Sequence, residues 1–170
     1  MFIIDVYVFL IITHFLYPAS HFSESDIFQL AGKGDLNGLK EIIEAGEDPN
    51  ATDNSGNTLL HFAGVSGSLE LVKYLVEKGA DPKAVGDYGI TVLHSAATSG
   101  SLDLVKYLVE KGVNPKSATD SGHTVLHYAA KSGSLELVKY LVEKGADLKA
   151  VENDGETVLH YAAKSGSIKL

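Results

Sequence analysis

Thr91-Val92-Leu93-His94-Ser95-Ala96-Ala97-Thr98-Ser99-Gly100-Ser101-Leu102-Asp103-Leu104-Val105-Lys106-Tyr107-Leu108-Val109-Glu110-Lys111-Gly112 reads as two short helices with their own break, cap and stop. It opens as a short helix of small and apolar residues, over which a neighbouring backbone can approach closely. Ser99-Gly100-Ser101 breaks that helix, and Ser101 is placed to cap the next by accepting a bond from a free backbone N–H. In the second helix Leu104, Val105, Leu108 and Val109 share one face at helical spacing. Asp103 in its first turn and Lys111 in its last both suit the helix macrodipole. Gly112 stands where a left-handed residue ends a helix. Two helices this short cannot bury their apolar faces alone, so the pair implies stacked neighbours.

Working outward, the same unit recurs. His61, His94, His127 and His160 are 33 residues apart, and Gly56, Gly89, Gly122 and Gly155 keep that interval. So do the ladders Gly67, Gly100, Gly133, Gly166 and Gly46, Gly79, Gly112, Gly145. Each unit reads as turn, helix, helix, loop.

A 33-residue period with this grammar resembles the ankyrin repeat, whose signature is Thr-Pro-Leu-His near the first helix. The matches are Thr58-Leu59-Leu60-His61, Thr91-Val92-Leu93-His94, Thr124-Val125-Leu126-His127 and Thr157-Val158-Leu159-His160, with the proline replaced each time. Losing a φ-fixing proline at the first turn predicts some lost stability and no change of fold. The run Gly67-Ser68-Leu69-Glu70-Leu71-Val72-Lys73-Tyr74-Leu75-Val76-Glu77-Lys78-Gly79-Ala80-Asp81 follows the family's second helix and exit closely. The resemblance implies an all-α solenoid of stacked helix-turn-helix units with protruding β-turn tips. Residues 26–52 read as an N-terminal cap-like unit, followed by repeats 53–85, 86–118 and 119–151 and a truncated repeat 152–170. Terminal units are atypical because one face meets water. Ser167-Ile168-Lys169-Leu170 aligns with the opening of a second helix, so an apolar face around Val158, Leu159 and Ala162 is expected to stay partly open. The expected reading of that end is a fragment, with cover by a partner as the alternative.

Residues 1–25 belong to no repeat. Phe2 to Tyr17 is apolar, interrupted by Asp5, Thr13 and His14. As a helix it would reach about 24 Å, short of the ~30 Å hydrocarbon core. No Lys or Arg precedes Lys33, so the basic start of a signal peptide is missing, and Tyr17-Pro18-Ala19-Ser20 fits a cleavage site poorly. Three readings stay open: an imperfect signal or anchor, a start assigned too far upstream, or an apolar strip packed on the cap. An intracellular, cytoplasmic place is favoured for the repeats, with membrane association or export only through residues 2–17.

The formal charge of −8 argues against a nucleic-acid partner, because such binding rests on clustered Lys and Arg. With no cysteine there is no disulfide or thiolate metal site. Seven histidines invite a metal reading. Equivalent residues of stacked units, however, sit about 8–10 Å apart, while ligands of one zinc each lie about 2 Å from it. His61, His94, His127 and His160 are therefore expected to bond loop backbone and hold the turn shape. Glu70, Asp103 and Glu136 recur as duplicated framework, so no acid–base pair converges, and no metal, cofactor or catalysis is expected. Tyr74, Tyr107 and Tyr140 form a ladder, read either as packing with hydroxyls at the rim or as a convex docking strip.

The expected function is a protein-binding scaffold; the alternatives are a membrane-tethered or exported interaction protein, or the binding module of a larger protein. The resemblance implies contacts on the turn tips and the exposed side of the first helix, along a concave face. Carried onto this chain, the tips are Asn54, Ser55 and Asn57; Asp87, Tyr88 and Ile90; Asp120, Ser121 and His123; Asn153, Asp154 and Glu156. The helix-side positions are Val65 and Ser66, Thr98 and Ser99, Lys131 and Ser132, and Lys164 and Ser165. Second helices are near copies while tips differ, which fits a repeated framework with diverged contacts; drift after duplication is the other explanation. Apolar Tyr88 and Ile90 among acidic tips imply a partner with a basic patch around an apolar pocket.

Overall fold

The computed structural model describes residues 24–166. Phe2 to Tyr17 and Ser167 to Leu170, on which the targeting and truncation readings fall, lie outside the described residues. An inner row of helices comprises α1 (Glu24–Lys33), α3 (Leu59–Ser66), α5 (Val92–Ser99), α7 (Val125–Ser132) and α9 (Val158–Lys164). Behind it stand α2 (Leu36–Glu44), α4 (Leu69–Glu77), α6 (Leu102–Glu110) and α8 (Leu135–Glu143). Neighbouring inner helices pack on one another, and α1, α3, α5 and α7 each pack on their own outer helix, as an all-helical repeat solenoid requires.

The local chemistry follows the ladder. Ser68, Ser101 and Ser134 cap the outer helices by accepting the N–H groups of Leu71, Leu104 and Leu137, and Asp35 does the same for Gly38 in the first unit. Gly67, Gly100 and Gly133 end the inner helices at φ of 74°, 73° and 79°, a conformation a Cβ disfavours. The core is one continuous apolar layer, in which Leu71, Leu75, Leu104, Leu108, Leu137 and Leu141 of the outer helices are fully buried. Each such leucine contributes on the order of 1.5–3 kcal/mol relative to an exposed one.

Two details bear on the sequence expectations. At the C-terminal face Val158 and Ala162 are buried, while Leu159 is open, at 59%. Its counterparts Leu60, Leu93 and Leu126 are fully buried. Val158, Leu159 and Ala162 nonetheless all line, with Leu135, Val138 and Val142, an open apolar hollow of about 360 Å³. The second is a correction and concerns Tyr74, whose hydroxyl is not at the rim: its Oη is enclosed and has no hydrogen-bond partner. The tyrosine ladder is instead a stack, with each ring flanked by a lysine of the preceding unit and one of its own. Lys40 and Lys78 lie 5.4 and 5.5 Å from the Tyr74 ring centre, Lys73 and Lys111 5.7 and 5.4 Å from Tyr107, and Lys106 and Lys144 5.9 and 5.5 Å from Tyr140.

Candidate interaction surface

The surface is built upward from the histidines. In each of the four repeats after the first unit the Thr backbone N–H at the helix start donates to the Nδ1 of the histidine three residues on: Thr58 to His61 at 3.0 Å, and Thr91, Thr124 and Thr157 to their partners at 3.1 Å. An Nδ1 that accepts must carry its proton on Nε2. His61 Nε2 accordingly donates to the Ile90 carbonyl of the next unit at 3.2 Å. The His61 imidazole thus caps a helix and ties two units together, whereas the Nε2 atoms of His94 and His127 are enclosed and make no hydrogen bond. Burial pushes His94 down to about 4, against the upward pull of the Ser117 and His123 carbonyls, and also lowers His61 and His127.

Outside the histidines run the tips. At their base, Asp53 Oδ1 accepts from the N–H groups of Ser55 and Asn57, Glu152 accepts from Asp154 and Glu156, and Thr119 Oγ1 accepts from His123. The two backbone bonds also hold the Glu152 carboxyl below the usual carboxylate range. Gly86 stands at this place in the second repeat and has no side chain to accept. That tip closes instead as a 3-10 turn over Asp87–Gly89, with Tyr88 at φ 58°. A non-glycine residue in this left-handed region is strained, and Tyr88 is also 75% exposed. Successive tips are joined by backbone: Asp87 N–H donates to Ser55 O at 3.1 Å, Asp120 to Tyr88 O at 2.9 Å, and Asn153 to Ser121 O at 3.0 Å.

This arrangement brings together most of the tip residues singled out from sequence. Asn54, Ser55, Asp87, Tyr88, Asp120, Ser121, Asn153 and Asp154 are exposed, while Asn57, Ile90, His123 and Glu156 are half-buried. His123 is tied into the framework, with Nδ1 2.8 Å from Ser121 Oγ and Nε2 2.6 Å from Tyr161 Oη. On the inner helices Val65, Thr98, Lys131 and Lys164 are exposed. Ser66, Ser99, Ser132 and Ser165 each donate to a carbonyl three residues back, so they serve the helix ends. Lys164 is held by both carboxylate oxygens of Glu156 at 2.6 Å and lies over the Tyr161 ring.

Sequence reasoning missed Phe62, Tyr128 and Tyr161. They occupy one register position, directly after the histidine, and are half-buried beside the tips. Ser95 is the fourth member of that series. The spacing that identified the histidine ladder would have found it.

A family model described as "Ankyrin repeats (3 copies)" matches residues 27–119 and 111–170. The chain belongs to the ankyrin-repeat family. No curated protein matches it. Ankyrin repeats serve generally as protein–protein interaction modules, and the family is generally non-enzymatic. Among the described residues no group of three or more His, Cys, Asp or Glu side chains could hold a metal ion. Among them, too, no helix is long and apolar enough to cross a membrane.

Proposed function

We propose that this ankyrin stack is a non-catalytic scaffold that binds another protein through its turn tips and the inner-helix surface beside them. The observation that carries this reading is the second tip. Tyr88 is a large apolar side chain held in a strained backbone conformation and displayed to solvent, a combination that folding alone does not favour. Exposed aromatics of this kind anchor interfaces. The partner carries basic groups, because Asp87, Asp120 and Asp154 line the same ribbon of tips. Opposite charge along the rim speeds encounter and sets register more than it adds affinity.

The test begins by capturing a partner with the full chain and purifying it. Its affinity is then measured for the chain and for a Tyr88→Ala/Ile90→Ala variant. A loss of tenfold or more, with an unchanged circular-dichroism spectrum, is expected. Equal affinity in a folded variant refutes the assignment of the tips.

A further inference from the structure

Aromatic rings ladder across the junctions between units with one interruption. A ring at the histidine position of one unit meets the ring 34 residues later in the next. Phe28 meets Phe62 at 5.1 Å between centres, His94 meets Tyr128 at 5.3 Å, and His127 meets Tyr161 at 5.2 Å, the last two edge-to-face. His61 should meet residue 95 in the same way, but residue 95 is a serine. In place of the ring there is an open notch of about 190 Å³, lined by Asn57, His61, Phe62, Val65, Ile90 and Ser95. A dry apolar cavity of ~150 Å³ already takes a benzene molecule. Phe62, Val65 and Ile90 supply apolar walls, and His61 offers a ring to stack against. Asp53 and Asp87 give the surrounding tips negative charge, and no lysine lines the notch.

We propose that the notch is a specificity pocket for an aromatic side chain of the bound protein, presented with basic residues beside it. This rests on the protein-binding reading above and names what that partner inserts. The inserted ring takes the place that Tyr128 and Tyr161 fill in the later repeats, so edge-to-face contact with the His61 imidazole favours aromatic over aliphatic side chains. The sequence difference that makes the pocket is Ser95 itself.

The same logic supplies the test, since Ser95→Tyr fills the notch with the residue the third and fourth repeats carry. The new side chain should fit, because Gly64 stands opposite where the later repeats have Ala97 and Ala130. A Cβ at Gly64 would lie 3.1 Å from Ser95 Cβ, so the glycine is what lets the two helices approach this closely while the ring itself points into the open notch. The probes are the blocked tripeptides Lys-Tyr-Lys, Lys-Leu-Lys and Lys-Ala-Lys, titrated into the isotope-labelled full chain and followed by amide NMR shifts.

Lys-Tyr-Lys should shift the amides of Phe62, Ile90 and Ser95 and bind at least tenfold more tightly than Lys-Ala-Lys, with Lys-Leu-Lys between them. Ser95→Tyr should lose that preference. If Ser95→Tyr does not fold, Val65→Gln, which changes an exposed wall of the notch, should show the same loss. Equal binding of the three peptides overturns the proposal, as do shifts centred elsewhere or undiminished Lys-Tyr-Lys binding in the folded variants. A captured partner that still requires Tyr88 after such a failure leaves the scaffold reading intact; a partner indifferent to Tyr88 and Ile90 overturns that reading separately.

Discussion

Acid should destabilise this stack through its buried histidines, and His94 allows the effect to be sized. Folded, His94 takes up a proton only near pH 4; unfolded, it does so near 6.5. Between those values the unfolded chain binds more protons than the folded one, so stability falls as the pH is lowered through the window and levels off below it. The lost stability from this one group is about 2 kcal/mol at pH 5 and about 3 kcal/mol at pH 4. The Ser117 and His123 carbonyls facing the ring pull the other way, but burial outweighs them. Carboxylates also titrate in this range, so the informative quantity is a difference.

His94→Gln supplies it. Glutamine at the third helical position reaches back to the N-cap N–H as in an ordinary capping box, which keeps the bond from Thr91 without a titrating group. The variant should be less stable at pH 7, because it loses the edge contact with Tyr128 at 5.3 Å. Its urea midpoint, however, should fall less steeply between pH 6.5 and 4, so that the two proteins converge by roughly 3 kcal/mol. Equilibrium urea unfolding followed by far-UV circular dichroism at half-unit pH steps measures this, provided the two m-values agree. Parallel curves would refute the argument that the imidazole is held neutral by its buried place in the helix start.

Other expectations follow from the same structure. Tyr88→Asn places a residue tolerant of the left-handed region at φ 58° and should stabilise the chain by about 0.5–1 kcal/mol in the same unfolding assay, while weakening partner binding. Leu126→Ala empties a fully buried site and should cost about 2–5 kcal/mol. Leu159→Ala, at the equivalent but open position, should cost under about 1 kcal/mol. Amides of α9 should exchange with solvent faster than those of α5 and α7, since one of its flanks is unsupported among the described residues; uniform protection across the three helices in a monomer would contradict this. Leu159→Gln should reduce concentration-dependent association measured by sedimentation velocity, because it removes the most exposed apolar group of the C-terminal hollow.

Helix order, caps and core were legible because they repeat. Ser101, Gly100 and Leu104 each have counterparts one period away, and a residue type kept through several units reports a backbone or packing demand. What escaped the sequence was what the units do not share. Phe62, Tyr128 and Tyr161 read as more helix core, since the short inner helix is apolar on most sides and periodicity cannot tell the groove face from the packed one. The Tyr88 conformation was hidden for a different reason. It depends on what is missing at Gly86, where Asp53, Thr119 and Glu152 supply an acceptor, and the comparison of that column alone signals a different turn. Ser66 and its counterparts looked like surface contacts because a serine's bond to a carbonyl three residues back leaves no mark in the spacing. The enclosure of the Tyr74 hydroxyl is not shared by Tyr107 and Tyr140, which are only half-buried, so a residue type kept through the ladder could not signal it.

The backbone bonds from Asp87 to Ser55, Asp120 to Tyr88 and Asn153 to Ser121 have a consequence for how recognition can change. They use main-chain atoms only, so they are indifferent to the side chain at either end. The tips therefore act like a rack that holds interchangeable type at a fixed pitch. Exchanging residue 54, 87 or 120 alters what is printed without moving the rack, and exchanges in non-adjacent units should combine additively in binding. A chain built this way can acquire a new partner one character at a time, with its fold unaltered at every step.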